Sequence, residues 1–87
     1  MLIKNLIWDE WNIDHIARHG VKPEEAEQVC TGKYFIKRGR NGTYMVIGQT
    51  QTGRYLTLLL SPRGSGKFYP VTARDSDYKE RKLLKKK

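Results

Sequence analysis

This chain of 87 residues has very little cysteine and no long apolar run. Cys30 is its one cysteine, so an internal disulfide is excluded and a reducing cytoplasm is the expected compartment. No apolar stretch approaches the roughly 18–20 residues that span a bilayer, and the start MLIKNLIWDE becomes acidic too soon for a signal peptide. A chain of this length supports one small core, so we expect a single domain over 1–87, with no membrane partner.

Acidic residues are missing from the middle of the chain. Residues 31–74 contain eight lysines and arginines and no carboxylate, whereas residues 1–30 hold three basic and six acidic residues, a net charge of −3. Residues 79–87 form a second basic zone, whose end is expected to be frayed. A field of one sign over half of a chain destabilises the compact state by self-repulsion unless a polyanion binds there. Nucleic acid is therefore the leading candidate for the partner.

The N-terminal third predicts a strand and two helices. LIKNLIW is apolar enough for a first strand, and Asp9 after it predicts the N-cap of a helix that Gly20 terminates. KPEEAEQVC predicts a second helix with Pro23 in its first turn and an end near residues 31–32. The apolar residues expected on the buried face of the first helix are Ile13, Ile16 and Ala17.

Residues 33–74 change to the period of strands. YMVIGQT, RYLTLLLS and KFYPVTA are joined by short turns and predict an antiparallel meander, to which KYFIKR is a candidate addition. Alternate leucines in the run 56–60 predict a central strand, and Pro70 predicts an edge position or a bulge. Asp77 and Glu80 have capping-box spacing at the start of a final helix. The expected fold class is α+β, with two N-terminal helices packed on an antiparallel sheet of about four strands and a C-terminal helix.

Five short motifs in register resemble the BrnT-type toxins of type II toxin–antitoxin systems. The motifs are WDEWN, RHGV.PEEAE, VIGQT..GRYL, the SPRG turn and TARD...KERK, and they extend over nearly the whole chain. The resemblance implies a RelE-like fold and a ribonuclease toxin that blocks translation. It also implies a BrnA-like ribbon-helix-helix antitoxin as partner, with operator DNA contacted only through the toxin–antitoxin complex. Tyr69 and Leu84 depart from the family pattern, in which a basic residue and a tyrosine are frequent at those places.

The basic turn in SPRGSGKFYPVTAR, residues 61–74, suits cleavage of RNA by its own 2′-hydroxyl. That reaction needs a proton acceptor, cations that stabilise charge on the phosphoryl oxygens and an acid for the leaving 5′-oxygen, and it requires no metal or other cofactor. Arg63 and Arg74 are the first candidates for charge stabilisation because a guanidinium can bond two phosphate oxygens, and both are expected near this turn. Lys67 is a further candidate for a catalytic cation. The alternative is that each is an ordinary solvated residue at a strand end.

His15 and His19 are the candidates for proton transfer, because imidazole exchanges a proton near neutral pH. Their spacing of four residues places both on one face of a helix. The same spacing suits a metal pair, but the sequence offers no evident third ligand, and no metal site is predicted. The alternatives are a structural role for His19 at the helix end, an exposed His15, and a lysine or tyrosine on the sheet as the base.

Basic and aromatic side chains of the second half are the candidate RNA contacts. Tyr69 flanks the basic turn and could stack on an unpaired base, whereas Trp8 and Trp11 are expected in the core. The cationic candidates are Arg38, Arg54, Lys79 and Arg81. A non-catalytic basic module that binds RNA or DNA, or an inactive toxin homologue that works through complex formation, is the alternative function, because it needs the same cations.

Overall fold

A five-stranded sheet carries two helices on one face and a third helix on the other, in a computed structural model that describes residues 3–85. In chain order the elements are β1 (Asn5–Leu6), α1 (Glu10–Ala17), α2 (Pro23–Thr31), β2 (Tyr34–Arg38), a short 3-10 turn (Arg40–Gly42), β3 (Tyr44–Gln49), β4 (Tyr55–Pro62), β5 (Lys67–Asp75) and α3 (Tyr78–Lys85). The strand order is β1-β5-β4-β3-β2. Within residues 3–85 no helix is both long and apolar enough to cross a membrane.

Both N-terminal helices begin where the sequence predicts, and α2 also ends there, but α1 ends at Ala17, three residues before Gly20. The Asp9 carboxylate accepts the backbone N–H of Asn12 at 2.9 Å, and the Asn12 side chain accepts the N–H of Asp9 at the same distance, so the N-terminus of α1 is capped reciprocally. Gly20 takes a φ of +72° after α1, a conformation that glycine adopts without strain. Pro23 is the first residue of α2, which ends at Thr31.

The buried face of α1 differs from the predicted one. Ile16 is buried as predicted, but Ile13 and Ala17 are exposed, and the buried residue beside Ile16 is Asn12. The Asn12 side-chain amide donates to the Ile7 carbonyl at 2.9 Å, so its burial leaves no polar group unsatisfied. Because Asn12 also closes the N-terminal cap, the side of α1 that carries Asn12 and Ile16 faces the sheet, and Ile13 and Ala17 are turned outward.

The two tryptophans have different environments. Trp8 is half-buried against the core, and its indole N–H donates to the Glu27 carboxylate at 2.9 Å. Trp11 lies on the outer face of α1 with 79% of its surface exposed, so the expectation that it anchors the core is wrong. The cause is again the orientation of α1, since Trp11 lies about 100° around the helix from Asn12.

The central part of the sheet is the predicted meander. β3, β4 and β5 pair antiparallel in sequence, and β2 adds an antiparallel edge strand from KYFIKR. Leu56, Leu58 and Leu60 are fully buried on the face that α1 and α2 cover. Val46 and Ala73 lie opposite Leu58 on the two neighbouring strands, which makes a continuous apolar row under the helices.

The N-terminal edge of the sheet is mixed rather than wholly antiparallel. β1 has two residues and runs parallel to β5, so the sheet has five strands where about four were expected. The pairing of β4 with β5 shifts by one residue between Leu59, opposite Thr72, and Leu60, opposite Pro70. Val71 is therefore the extra residue of a β-bulge, which confirms the irregularity that Pro70 predicts. The α+β class is confirmed.

The helix α3 begins with the predicted capping box. The N–H of Asp77 donates to Glu80 Oε1 at 2.9 Å, and the N–H of Glu80 donates to Asp77 Oδ1 at 2.9 Å. The described helix continues to Lys85. The expected frayed end includes Lys86 and Lys87, which lie outside the described residues.

The position of α3 follows from one buried contact. Thr57 donates its hydroxyl to Glu80 Oε1 at 2.9 Å. Thr57 lies between Leu56 and Leu58, and since side chains alternate along a strand, it points away from α1 and α2. The helix α3 thus covers the opposite face of the sheet, where Ile47 is fully buried beside Thr57.

Candidate nucleic-acid interface

The helix α3 covers only part of its side of the sheet, and we call the uncovered part the open face. Cross-strand pairing places Lys37 opposite Met45, Met45 opposite Leu59, and Leu59 opposite Thr72, while Ser61 lies opposite Tyr69 in the next row. Each of these side chains is exposed or half-buried, in contrast to the buried row under α3. The open face consists of Lys37, Met45, Leu59, Ser61, Tyr69 and Thr72.

Arg63 and Lys67 border the open face at the turn between β4 and β5. The Arg63 guanidinium carbon lies 4.9 Å from the centroid of the Tyr69 ring, and one guanidinium nitrogen donates to Ser61 Oγ at 3.0 Å. The N–H of Arg63 donates to the Lys67 carbonyl at 2.8 Å, and alternation along β5 puts Lys67 on the same face as Tyr69. Arg63 forms no ion pair within the described part of the chain, so its charge is available to an anion.

Tyr69 is held in place by Asp9. Its hydroxyl donates to the Asp9 carboxylate, with both oxygens 3.0 Å away. Desolvation and this hydrogen bond raise the pKa of Tyr69, and nearby Arg63 opposes the rise. The phenol therefore keeps its proton at neutral pH, directed at Asp9. The sequence did not reveal this pair, because capping of α1 already accounts for Asp9.

Arg74 lies on the same side of the sheet as Tyr69 but farther along it. It pairs with Thr57, four residues along β4 from Ser61, which corresponds to about 13 Å. The expectation that Arg63 and Arg74 meet near one turn is therefore wrong. The physical reason is the length of β5, whose nine residues place Arg74 near the end remote from that turn.

Arg74 is also paired with a carboxylate, although residues 31–74 themselves contain none. Its two terminal nitrogens donate to the two oxygens of Glu80 at 2.9 and 2.8 Å. This bond, with those from Asp77 and Thr57, lowers the pKa of Glu80 to about 2. Glu80 is therefore ionised at physiological pH and fixes the guanidinium, whose side chain keeps 42% of its surface exposed at the border of the open face.

Arg54 is occupied by internal contacts. Its Nε donates to Asp75 at 2.7 Å, and its Nη1 donates to the Gly20 carbonyl at 2.7 Å and to Glu25 at 3.1 Å. These bonds join the end of β5 to the α1–α2 connection and to the first turn of α2. The predicted RNA contact thus lies on the side of α1 and α2 instead of the open face, and its donors are already used.

His15 lies on α1 and His19 in the turn that follows it, apart from the open face. The His15 and His19 rings are exposed, with their centroids 5.7 Å apart. The helix runs beside β5 from the Asp9–Tyr69 contact to Arg54, whose Nη2 donates to the His19 carbonyl at 3.4 Å. The structure therefore does not bring the histidine pair to Arg63.

Neither the histidines nor the cysteine belongs to a metal-binding cluster in the part of the chain that the structure describes. Among residues 3–85 no three His, Cys, Asp or Glu side chains are grouped so that they could hold a metal ion. Cys30 is buried, and burial raises the pKa of its thiol to about 12, with Glu27 as a smaller cause. The thiol of Cys30 therefore stays protonated and unreactive, and Cys30 packs as a small buried side chain.

The three remaining cationic candidates are on different surfaces. Arg38 lies over the ring of Tyr44 at 5.9 Å, on the side of α1 and α2, because it alternates with Lys37. Arg81 lies over the ring of Tyr55 at 5.2 Å. Lys79 is two residues before Arg81 in α3, so its side chain lies about 160° around the helix from that of Arg81, on the opposite flank. Lys79 thus borders the open face, whereas Arg81 faces the other way.

The arrangement of helices and strands is shared with a solved ribonuclease toxin. The crystal structure of the Brucella abortus ribonuclease toxin BrnT is similar to this chain with a TM-score of 0.69 and 21% sequence identity, over 84% of this chain and 96% of that one. No protein-family model and no curated protein matches the chain. The resemblance indicated by the five motifs is thus confirmed in the fold, and this chain has the fold of the BrnT ribonuclease toxin.

Proposed function

We propose that this chain is the toxin of a type II toxin–antitoxin system and that it is a metal-independent endoribonuclease that inhibits translation by cleaving RNA on the open face. One observation carries the proposal: in a fold shared with a ribonuclease toxin, Arg63 and Lys67 are brought to Tyr69 at the edge of an exposed sheet surface. The grouping supplies cations, an aromatic ring and a titratable hydroxyl at one place, as cleavage by the 2′-hydroxyl needs.

Arg63 has the geometry of a phosphate ligand. Its stacking on Tyr69 and its bond to Ser61 restrict the guanidinium, while the remaining N–H groups can donate to two phosphoryl oxygens. Arg63, with Lys67 beside it, stabilises the charge that develops on these oxygens as the 2′-oxygen attacks. Removal of one such donor typically lowers kcat about 10²- to 10³-fold. Arg74, fixed by Glu80, contacts a different phosphate of the same strand.

Proton transfer is assigned to Tyr69 and Asp9. The Tyr69 proton is directed at Asp9, which leaves the lone pairs of the phenol oxygen to accept a proton from the 2′-hydroxyl. As that proton arrives, the phenol passes its own to the Asp9 carboxylate, so the charge on the tyrosine never builds up. The leaving 5′-oxygen takes its proton from water, and Asp9 returns its proton to solvent afterwards. Such general-base assistance contributes about 10²- to 10⁴-fold to a rate.

The partner that follows from this function is an antitoxin. We infer a BrnA-like ribbon-helix-helix protein that masks the toxin in the cytoplasm, and contact with operator DNA only through the complex of the two. The net charge of +8 is consistent with an RNA substrate, because Lys and Arg neutralise its phosphates.

The test is cleavage of RNA by the purified protein in the presence and absence of a chelator. We expect chelator-resistant cleavage that Arg63→Ala or Tyr69→Phe reduces at least about 100-fold. Lys22→Ala is the matched control, because this exposed lysine lies at the start of α2, away from the open face. RNA binding without any cleavage would contradict the proposed enzyme and favour the alternative, a non-catalytic RNA-binding module.

A further inference from the structure

A second basic groove lies beside α3, on the flank opposite to the open face. It has a volume of about 590 Å³, within the range of small-ligand sites. Among the residues that the structure describes, none that lines it is acidic. We call it the α3 groove, and it is lined by Lys33, Gln49, Tyr55, Leu84 and Lys85.

The α3 groove combines cationic, aromatic and amide groups. The Tyr55 ring is half-buried, and the Arg81 guanidinium carbon lies 5.2 Å from its centroid. The Tyr55 ring, which forms the aromatic wall of the groove, therefore has three cations near it, Arg81, Lys33 and Lys85. Gln49 uses an amide N–H to donate to the Gly53 carbonyl at 3.1 Å, so its side-chain oxygen remains as a hydrogen-bond acceptor.

Each of these groups matches one part of a nucleotide. Lysines bind phosphate, an aromatic ring next to an arginine stacks on a base, and an amide bonds the edge of that base. We propose that the α3 groove binds one nucleotide, with its base against Tyr55 and its phosphate between Lys33 and Lys85. The nucleotide belongs to single-stranded RNA or is free, since both offer the same chemistry.

The inference does not depend on the proposed cleavage. Arg81 and Lys79 project from opposite flanks of α3, so the helix separates the α3 groove from Arg63 and the open face. A nucleotide can therefore bind in the groove even if no phosphodiester is cut. An acidic peptide would satisfy the lysines but would leave the aromatic wall and the amide oxygen without matched partners.

The experiment is a titration followed by NMR signals of the Gln49 side-chain amide and the Leu84 methyl groups. The probes are a 2′-O-methyl oligonucleotide of eight or so residues, which cannot be cleaved through its 2′-oxygen, a nucleoside monophosphate, and oligoglutamate. We expect the oligonucleotide to shift both sets of signals. Lys33→Ala should lower the slope of log K against log salt by about 0.7, the value for one phosphate contact on a single strand.

The matched variants keep the result interpretable. Lys22→Ala removes an equal charge at an exposed site near α2 and should leave the slope unchanged. Tyr55→Leu keeps an apolar side chain and should weaken oligonucleotide binding about 5- to 100-fold through lost stacking. Lys33→Ala changes an exposed residue outside any helix or strand, so it tests the groove even if Tyr55→Leu unfolds.

The outcomes separate the possible ligands. Shifts with the monophosphate indicate a free-nucleotide site, and shifts with the oligonucleotide alone indicate a contact along an RNA strand; both support the proposal. Shifts with oligoglutamate alone, or equal salt slopes for Lys33→Ala and the parent, overturn it. Arg63→Ala should reduce cleavage at least about 100-fold and leave the groove signals intact, so failure of one proposal is distinguishable from failure of the other.

Discussion

The guanidinium of Arg63 lies over the ring of Tyr69, 4.9 Å from its centroid. Tyr69 in turn donates its hydroxyl to Asp9, 60 residues earlier in the chain. The two contacts tie the turn between β4 and β5 to the N-terminus of α1. A stacked cation at an exposed site gains only about 0.5–1 kcal/mol, so the main effect of the arrangement is to orient Arg63.

Arg63→Lys tests whether orientation matters more than charge. We expect kcat for RNA cleavage to fall about 10²-fold, because lysine keeps the cation but lacks the planar fork that bonds two phosphoryl oxygens. RNA affinity should change less than threefold or so, since the charge is retained. Single-turnover rates with a labelled oligonucleotide measure the first quantity and filter binding the second. Equal cleavage rates for the variant and the parent would mean that Arg63 contributes only its positive charge and not its planar geometry.

The double variant His15→Asn/His19→Asn tests the location of the proton acceptor. We expect its cleavage rate to stay within about threefold of the parent, because the two imidazoles lie on α1 and on the turn after it and not on the open face. The pH profile of kcat should also keep its shape. A fall in the cleavage rate of about 10²-fold or more, with a flattened pH profile, would instead assign proton transfer to the histidines.

Arg54→Ala tests the internal role of that guanidinium. We expect the free energy of unfolding to fall by about 2–3 kcal/mol, because Glu25, Asp75 and the Gly20 carbonyl lose a charged donor. Cleavage per folded molecule should not change. Urea unfolding measures the first quantity, and activity normalised to the folded fraction measures the second.

Arg18→Ala is the control for that loss of stability. Its ion pair with Asp14 has side chains 72% and 70% exposed, so its removal should cost less than about 0.5 kcal/mol. Arg54 would instead be an RNA contact if Arg54→Ala weakened RNA binding but lowered the free energy of unfolding no more than Arg18→Ala does.

The buried carboxylate of Glu80 predicts a pH dependence of stability. Its pKa is lowered from 4.5 to about 2 in the folded state by Arg74, Asp77 and Thr57. The stabilisation is therefore complete above pH 4.5 and is lost as the pH falls towards 2, by about 3 kcal/mol. Urea unfolding at several pH values should show this loss in the parent and a smaller loss in Glu80→Gln. Parallel pH curves for the two proteins would rule out the assignment.

The ends of helices were predictable from the sequence because they depend on residues close together in the chain. Asp9 caps α1 through Asn12, and Asp77 and Glu80 cap α3 through each other. Each of these contacts spans only three residues, so the fixed geometry of a first helical turn decides it. Pro70 predicted a bulge for the same reason, since a missing N–H disrupts the ladder locally.

The buried face of α1 was not predictable in this way. Of the predicted apolar residues Ile16 is buried, but Ile13 and Ala17 are exposed and the polar Asn12 is buried in their place. The choice between the two faces depends on how the cap and the Ile7 carbonyl orient the helix against β5. That orientation is a property of the packed structure and not of the period of the helix.

The sequence by itself determined the elements, their order and the excess of positive charge, because capping, strand alternation and composition act over short distances. Only the tertiary structure decided which cations are free. Arg74 and Arg54 lie in a stretch without carboxylates, yet folding places Glu80 on the first and Asp75 and Glu25 on the second. Charge along a chain is additive, whereas the pairing of charges depends on strand length and on where helices dock.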